Sequence, residues 1–112
     1  EMKYGGELNI MKYSFMKSTT EDARTVMRRV TITNSRGLHA RAAAKFANTS
    51  GNFEADIQVT RNEQTVSGLS IMGLMMLAAA PGCHIDISAT GPDAEDAIDA
   101  LSKLVCEKFQ EG

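Results

Sequence analysis

Tryptophan is absent from this chain, and cysteine and proline occur only twice each. Aromatic residues make up 5% of it, too few for the stacked rings with which proteins usually hold single-stranded nucleic acid. Excess positive charge is also missing: 12 Lys and Arg against 14 Asp and Glu give a formal net charge of -2, so no general basic field draws in nucleic acid or an anionic membrane. No apolar run is long enough to span a bilayer, and the N-terminal stretch lacks the apolar core of a secretory signal. A cytoplasmic location without membrane insertion is therefore expected. Cys83 and Cys106 are far apart and form no C-x-x-C pattern, so two reduced, mostly buried thiols are expected in preference to a disulfide.

What is present suits one soluble domain: 112 residues, 43% apolar and 23% charged. Residues 1–27 show no sustained period and are expected to form a flexible N-terminal tail that is partly not native; Met11, Met16 and Met27 are candidate native starts. From residue 28 onward the pattern is regular. RRVTITN alternates as a strand ending near Asn34, and Ala40 to Ser50 carries Ala43, Phe46 and Ala47 at helical spacing, closed by Gly51. FEADIQVT and QTVSG form a hairpin around RNEQ. SIMGLMMLAAA predicts a second helix, capped by Ser70 and running toward Pro81-Gly82. CHIDISAT is a strand, and Gly91-Pro92-Asp93 opens a last helix with Ala97, Ile98, Leu101, Leu104, Val105 and Phe109 on its apolar face. The acidic run from Asp93 to Asp99 complements that helix's dipole. The order β-α-β-β-α-β-α predicts an α+β open-faced β-sandwich, a four-stranded, largely antiparallel sheet with three helices on one face.

GLHARAAAKF starts a helix on a histidine, where Ser, Thr, Asp or Asn is the better cap. A helix N-terminus offers unpaired N–H groups and a positive dipole, which stabilise a phosphoryl dianion and disfavour imidazolium. Neutral His39 then keeps a lone pair for attack on phosphorus, and Arg41 supplies a permanent charge able to bind phosphate bidentately. Gly37 gives the backbone room to turn and lets a partner approach. The bland alternative is a solvated His39 with Arg41 on an exposed helix face. His84 beside Cys83 invites a metal reading, but adjacent strand residues point to opposite faces and no ligand set of zinc spacing surrounds them. No metal ion or cofactor is expected.

TITNSRGLHARAA, VSGLSIMGLMML and HIDISATGPDAEDAI, in that order, make residues 28–112 resemble the HPr family, the histidine-containing phosphocarriers of the phosphoenolpyruvate-dependent phosphotransferase system, its nitrogen-related branch included. The resemblance implies a monomeric phosphocarrier, an intermediate in phosphoryl transfer without turnover of its own, taking a phosphoryl group from Enzyme I and passing it to an Enzyme IIA. His39 matches the phosphorylated residue and Arg41 its stabilising neighbour, with Gly37 and Arg36 as further phosphate-stabilising residues. The family motif usually reads L-H-x-R-P-A; Ala42 replaces the proline, and alanine keeps the helix. Ser70 matches the family's regulatory serine, the substrate of HPr kinase/phosphorylase in many bacteria, although Leu69 stands where regulated relatives often carry lysine. Ile71, Met72, Leu74 and Met75 belong to a helix with more apolar residues than one core stripe needs, so an exposed partner-docking patch is expected. A non-catalytic, protein-binding regulatory module of the same fold is the alternative. The sequence leaves open whether sugar uptake or nitrogen status is the endpoint.

Overall fold

β1, Thr25–Thr31, points Val26 and Val30 inward between polar neighbours. It opens the computed structural model, which describes residues 25–111. The elements that follow are α1 (Ala40–Ser50), β2 (Asp56–Arg61), β3 (Gln64–Ser67), α2 (Ile71–Met76), β4 (His84–Thr90) and α3 (Ala94–Cys106). The expected α+β open-faced sandwich is found. All three strand pairings are antiparallel, and the sheet order is β1-β4-β2-β3.

Because strand side chains alternate, successive register rows face the helices and the outer surface in turn. Ile87, opposite both Arg28 and Val59, and Ala89, opposite both Val26 and Ile57, face the helices. Asp86, opposite Arg29 and Thr60, belongs to the polar outer rows. Phe46 of α1, Leu74 of α2, and Ile98 and Leu101 of α3 complete the core over Ile85, Ile87 and Val59. Arg28 lies at the sheet edge on the helix side and donates to Asp99 of α3 at 2.9 Å.

Several details differ from the expectations. Thr25 to Met27, expected in the tail, form the start of β1; the rest of that tail, 1–24, lies outside the described residues. The β1 ladder ends at Thr31 rather than near Asn34, after which Ile32 exchanges backbone hydrogen bonds with Cys83 and Gly82, both at 2.8 Å. α2 stops at Met76, well before Pro81, because Ala78 takes a φ of 55 and Arg61 donates to the Leu77 carbonyl at 3.0 Å. That exit leaves the Ala79 carbonyl free to accept from the Leu38 N–H at 2.9 Å. Both cysteines are free, but Cys106 is exposed, because Leu104 and Val105 take the inward positions at the end of α3.

The last helix ends earlier than its apolar period suggests. Phe109 is fully buried, yet it lies beyond α3, in a turn where Lys108, Phe109 and Gln110 all have positive φ, 57, 55 and 63. Left-handed backbone at non-glycine residues is costly, and Phe109's burial is what holds it. The turn sends the chain back toward the start of α1.

Candidate functional site

His39 occupies the N-cap position of α1 in extended conformation, φ -78 and ψ -178. Its carbonyl accepts from the Ala43 N–H at 2.8 Å, but its side chain caps no first-turn amide, and that turn holds no acidic residue. The N–H groups and dipole of α1 are thus left without a capping side chain or an acidic residue from the helix itself. The loop entering the helix is held by its own hydrogen bonds. Gly37, at φ +65, donates to the Asn34 carbonyl at 3.2 Å, and its own carbonyl accepts from Asn34 Nδ2 at 2.8 Å. A Cβ at Gly37 would lie 2.3 Å from the Ala79 oxygen.

This corrects two expectations for Gly37. Its N–H is occupied by Asn34, so it offers no donor to a phosphate, and it is the chain's own Ala79–Ala80 segment, not a partner, that comes close to it. Its contribution is to the path of the loop that presents His39.

Around His39 lies an open depression of about 640 Å³, lined among others by Asn34, Arg36, Arg41, Lys45, Lys108 and Glu111. Four of its lining residues are Arg or Lys and one is a carboxylate, so the floor is set for an anion. The structure brings together the predicted His39, Arg41 and Arg36. It adds Asn34, Lys45, Lys108 and Glu111, which the sequence reading missed. Lys45 donates to the Phe109 carbonyl at 2.8 Å and so ties the C-terminal turn to α1.

Glu111 is paired with His39 through Oε2 and Nε2, and its Oε1 accepts from Asn34 Nδ2 at 3.2 Å. The hydrogen bond from His39, then that from Asn34 and the charges of His39 and Arg36, hold its carboxyl below the usual carboxylate range despite partial burial. An ionised carboxylate only accepts, so the proton of this pair lies on Nε2, and Nδ1 is the ring nitrogen that Glu111 leaves unengaged. A basic nitrogen in a cationic depression at a helix N-terminus can attack phosphorus and hold the dianion that results. No spacing rule connects residue 111 to residue 39; the link exists only because the positive-φ turn brings the chain back.

The remaining predicted residues lie on α2. Ser70 is its N-cap, and its hydroxyl accepts from the Gly73 N–H at 2.9 Å, the capping role expected of it. Ile71, Met72 and Met75 are exposed, Met72 by 70%. Leu74 is 0% exposed, so it leaves the docking set: its position on α2 faces α1 and the core, and no partner can touch it. Leu69 and Met76, outside the predicted set, are exposed beside these residues and widen the apolar patch. His84 lies exposed on the outer sheet face with Nδ1 2.9 Å from Thr31 Oγ1, and no metal-binding cluster occurs among the described residues.

Comparison with known proteins gives consistent matches. The model of the family described as PTS HPr component phosphorylation site matches residues 26–107. Phosphocarrier protein HPr of Cupriavidus necator is 45% identical over 87 residues, which cover 78% of this chain and 98% of that protein. Phosphocarrier protein NPr of Shewanella violacea is 44% identical over 84 residues, covering 75% of this chain and 92% of the relative. Among solved structures, HPr-C-His from Thermoanaerobacter tengcongensis superposes with a TM-score of 0.75 at 40% identity, covering 78% of this chain and 98% of that one.

Proposed function

This chain belongs to the HPr family of phosphotransferase-system phosphocarriers, and from that premise we propose that His39 accepts a phosphoryl group from Enzyme I and passes it to an Enzyme IIA. The observation that carries the reading is the place of His39 at the uncapped start of α1, its Nε2 engaged by Glu111 and its Nδ1 left over, in a depression lined by four cations. In acceptance, Nδ1 attacks the phosphorus of phospho-Enzyme I, and the donor's phosphorus–nitrogen bond breaks as the new one forms. In donation the bonding pair returns to Nδ1. Arg41 stabilises the charge on the phosphoryl oxygens, with Arg36 as a second cation at the rim. The exposed residues Ile71, Met72 and Met75 dock both partners in turn, since one histidine serves donor and acceptor. Ser70 is the site of regulatory phosphorylation by an HPr kinase/phosphorylase. The protein acts as a cytoplasmic monomer; among the described residues no helix is long and apolar enough to cross a membrane.

The test is incubation with Enzyme I and phosphoenolpyruvate. One acid-labile phosphoryl group per chain is expected, lost in His39→Ala without loss of fold, and transferred markedly more slowly to Arg41→Ala. Equal labelling of His39→Ala would overturn the assignment of the nucleophile. A folded wild-type protein that takes up no phosphate would favour the purely regulatory, protein-binding module instead.

A further inference from the structure

Imidazole that attacks phosphorus through Nδ1 gains a positive charge as the bond forms, because its lone pair is drawn into the new bond while the proton on Nε2 stays. A group that accepts from that proton stabilises the charge and, before the reaction, keeps the proton off Nδ1. Glu111 is placed to do both. Resting on the phosphocarrier reading above, we infer that Glu111 is a positioning residue for His39, holding its ring in the Nε2–H tautomer and stabilising the imidazolium formed during transfer.

Three independent features of the fold support this. The carboxylate is oriented at both oxygens, Oε2 by His39 and Oε1 by Asn34 Nδ2, and Asn34 is itself buried and fixed by its bond to the Gly37 carbonyl. A nucleophile, a carboxylate on its far nitrogen and a third group orienting the carboxylate form the arrangement from which activated side chains are built. Next, residue 111 is held by a braced segment. Phe109 is buried, its carbonyl accepts from Lys45, and the Gln110 and Glu111 N–H groups donate to the Glu107 and Lys108 carbonyls at 2.9 and 3.1 Å. Finally, Arg36, Arg41, Lys45 and Lys108 line the same depression, so one added carboxylate leaves the surroundings cationic and does not repel the phosphoryl group from Nδ1.

The step is balanced without any further reactant. Phosphorus moves from the Enzyme I nitrogen to Nδ1, the Nε2 proton remains shared with Glu111, and on donation the electron pair returns to Nδ1. A carboxylate acting as a gate, which would have to leave before phosphate arrives, would have the opposite sign of effect. The two readings demand opposite rates.

The experiment compares wild type, Glu111→Gln and Glu111→Ala in transfer from phospho-Enzyme I over a range of Enzyme I concentrations, with nitrogen-15 spectra of the His39 ring. A charge-assisted hydrogen bond at a partly exposed site is worth about a factor of ten in rate, so Glu111→Ala should be about tenfold slower at saturating Enzyme I with an unchanged half-saturating concentration. Glu111→Gln, which keeps an acceptor but no charge, should fall between. Ring nitrogen shifts should report a dominant Nε2–H form in wild type and in Gln, and a more mixed population in Ala. Variants that match or exceed wild type would overturn the inference in favour of a gate or a bystander. Slower variants with unaltered ring spectra would overturn it too, leaving Glu111 as a brace of the turn. The phosphocarrier reading fails separately, if wild type itself takes up no phosphate, and the ring spectra are read whether or not it does.

Discussion

Gly37→Ala is the substitution that most directly tests how the loop before His39 is held. Two independent penalties meet there. An L-alanine at φ +65 sits in left-handed backbone, which costs about 1–2 kcal/mol. Its Cβ would also lie 2.3 Å from the Ala79 oxygen and 3.1 Å from Ala80 Cα, where ordinary contact begins at 3.4 Å. The loop or the Ala79–Ala80 segment must move by roughly 1 Å, at an overpacking cost of about 1–3 kcal/mol. That shift stretches the Leu38–Ala79 hydrogen bond, 2.9 Å in the native fold and worth about 1 kcal/mol. Together the loss is roughly 3–6 kcal/mol, and a domain of this size loses about 4–8 °C of Tm per kcal/mol, so a fall of at least about 12 °C is expected by circular dichroism. Gly82→Ala is the control. Gly82 also has positive φ, +89, but nothing lies within 4 Å of its Cβ position, so only the torsional cost of about 1–2 kcal/mol applies. Gly37→Ala should in addition slow phosphorylation of His39, whereas Gly82→Ala should not. If the two variants lost the same Tm, the close packing of Ala79 on the loop would be refuted.

Leu74→Ala should cost about 2–5 kcal/mol in chemical denaturation, because it empties a fully buried site, while Met72→Asp, 70% exposed, should leave stability nearly unchanged and weaken binding of both Enzyme I and Enzyme IIA in titration calorimetry. Ser70→Ala loses its bond from the Gly73 N–H and should cost about 1 kcal/mol with normal transfer to His39; Ser70→Asp should slow that transfer, and equal rates would reduce Ser70 to a cap. Asp86 is held below the usual carboxylate range by its hydrogen bond from Arg29, opposed by desolvation and aided by the charges of Arg29 and His84. A depressed native value means that its stabilisation is complete above the unfolded-state value and is lost as pH falls through the native one, so Asp86→Asn should flatten the fall of Tm below about pH 4.

The period-2 and period-3.6 patterns made the strands and long helices legible, because each buries one face and the apolar positions declare which. The place of His39 at a helix start with Arg41 in its first turn was legible too, since a helix start is read from a few adjacent residues. What escaped was set by contacts distant in sequence or by backbone signs. Phe109 continues the apolar period of α3, so nothing local tells that the helix ends at Cys106 and that Phe109 is buried from a left-handed turn. Leu74 and Met72 are both apolar residues of one short helix; which of them faces the core depends on how α2 packs against α1, not on composition. Gly37 was recognised as a turn residue, but its close neighbour, Ala79, is set by where α2 stops.

The three α-helices of the described residues begin differently, and the difference bears on the site proposed at α1. α2 caps itself, since the Ser70 hydroxyl accepts from the Gly73 N–H. α3 carries Glu95 and Asp96 in its first turn, which answer its dipole with fixed negative charge. α1 has neither device: its N-cap side chain makes no capping bond and its first turn holds no acid, while Arg41 adds positive charge where the dipole is already positive. For the unphosphorylated protein that arrangement is unfavourable, and an acidic or serine cap would stabilise it by about 1 kcal/mol. On the proposed phosphorylation of His39, the arrangement is relieved when the phosphoryl group arrives, and part of the stabilisation other helices make in folding is then available to phosphate. Replacing His39 by a capping residue should therefore raise stability and abolish transfer together, the signature of a helix start kept open for an anion.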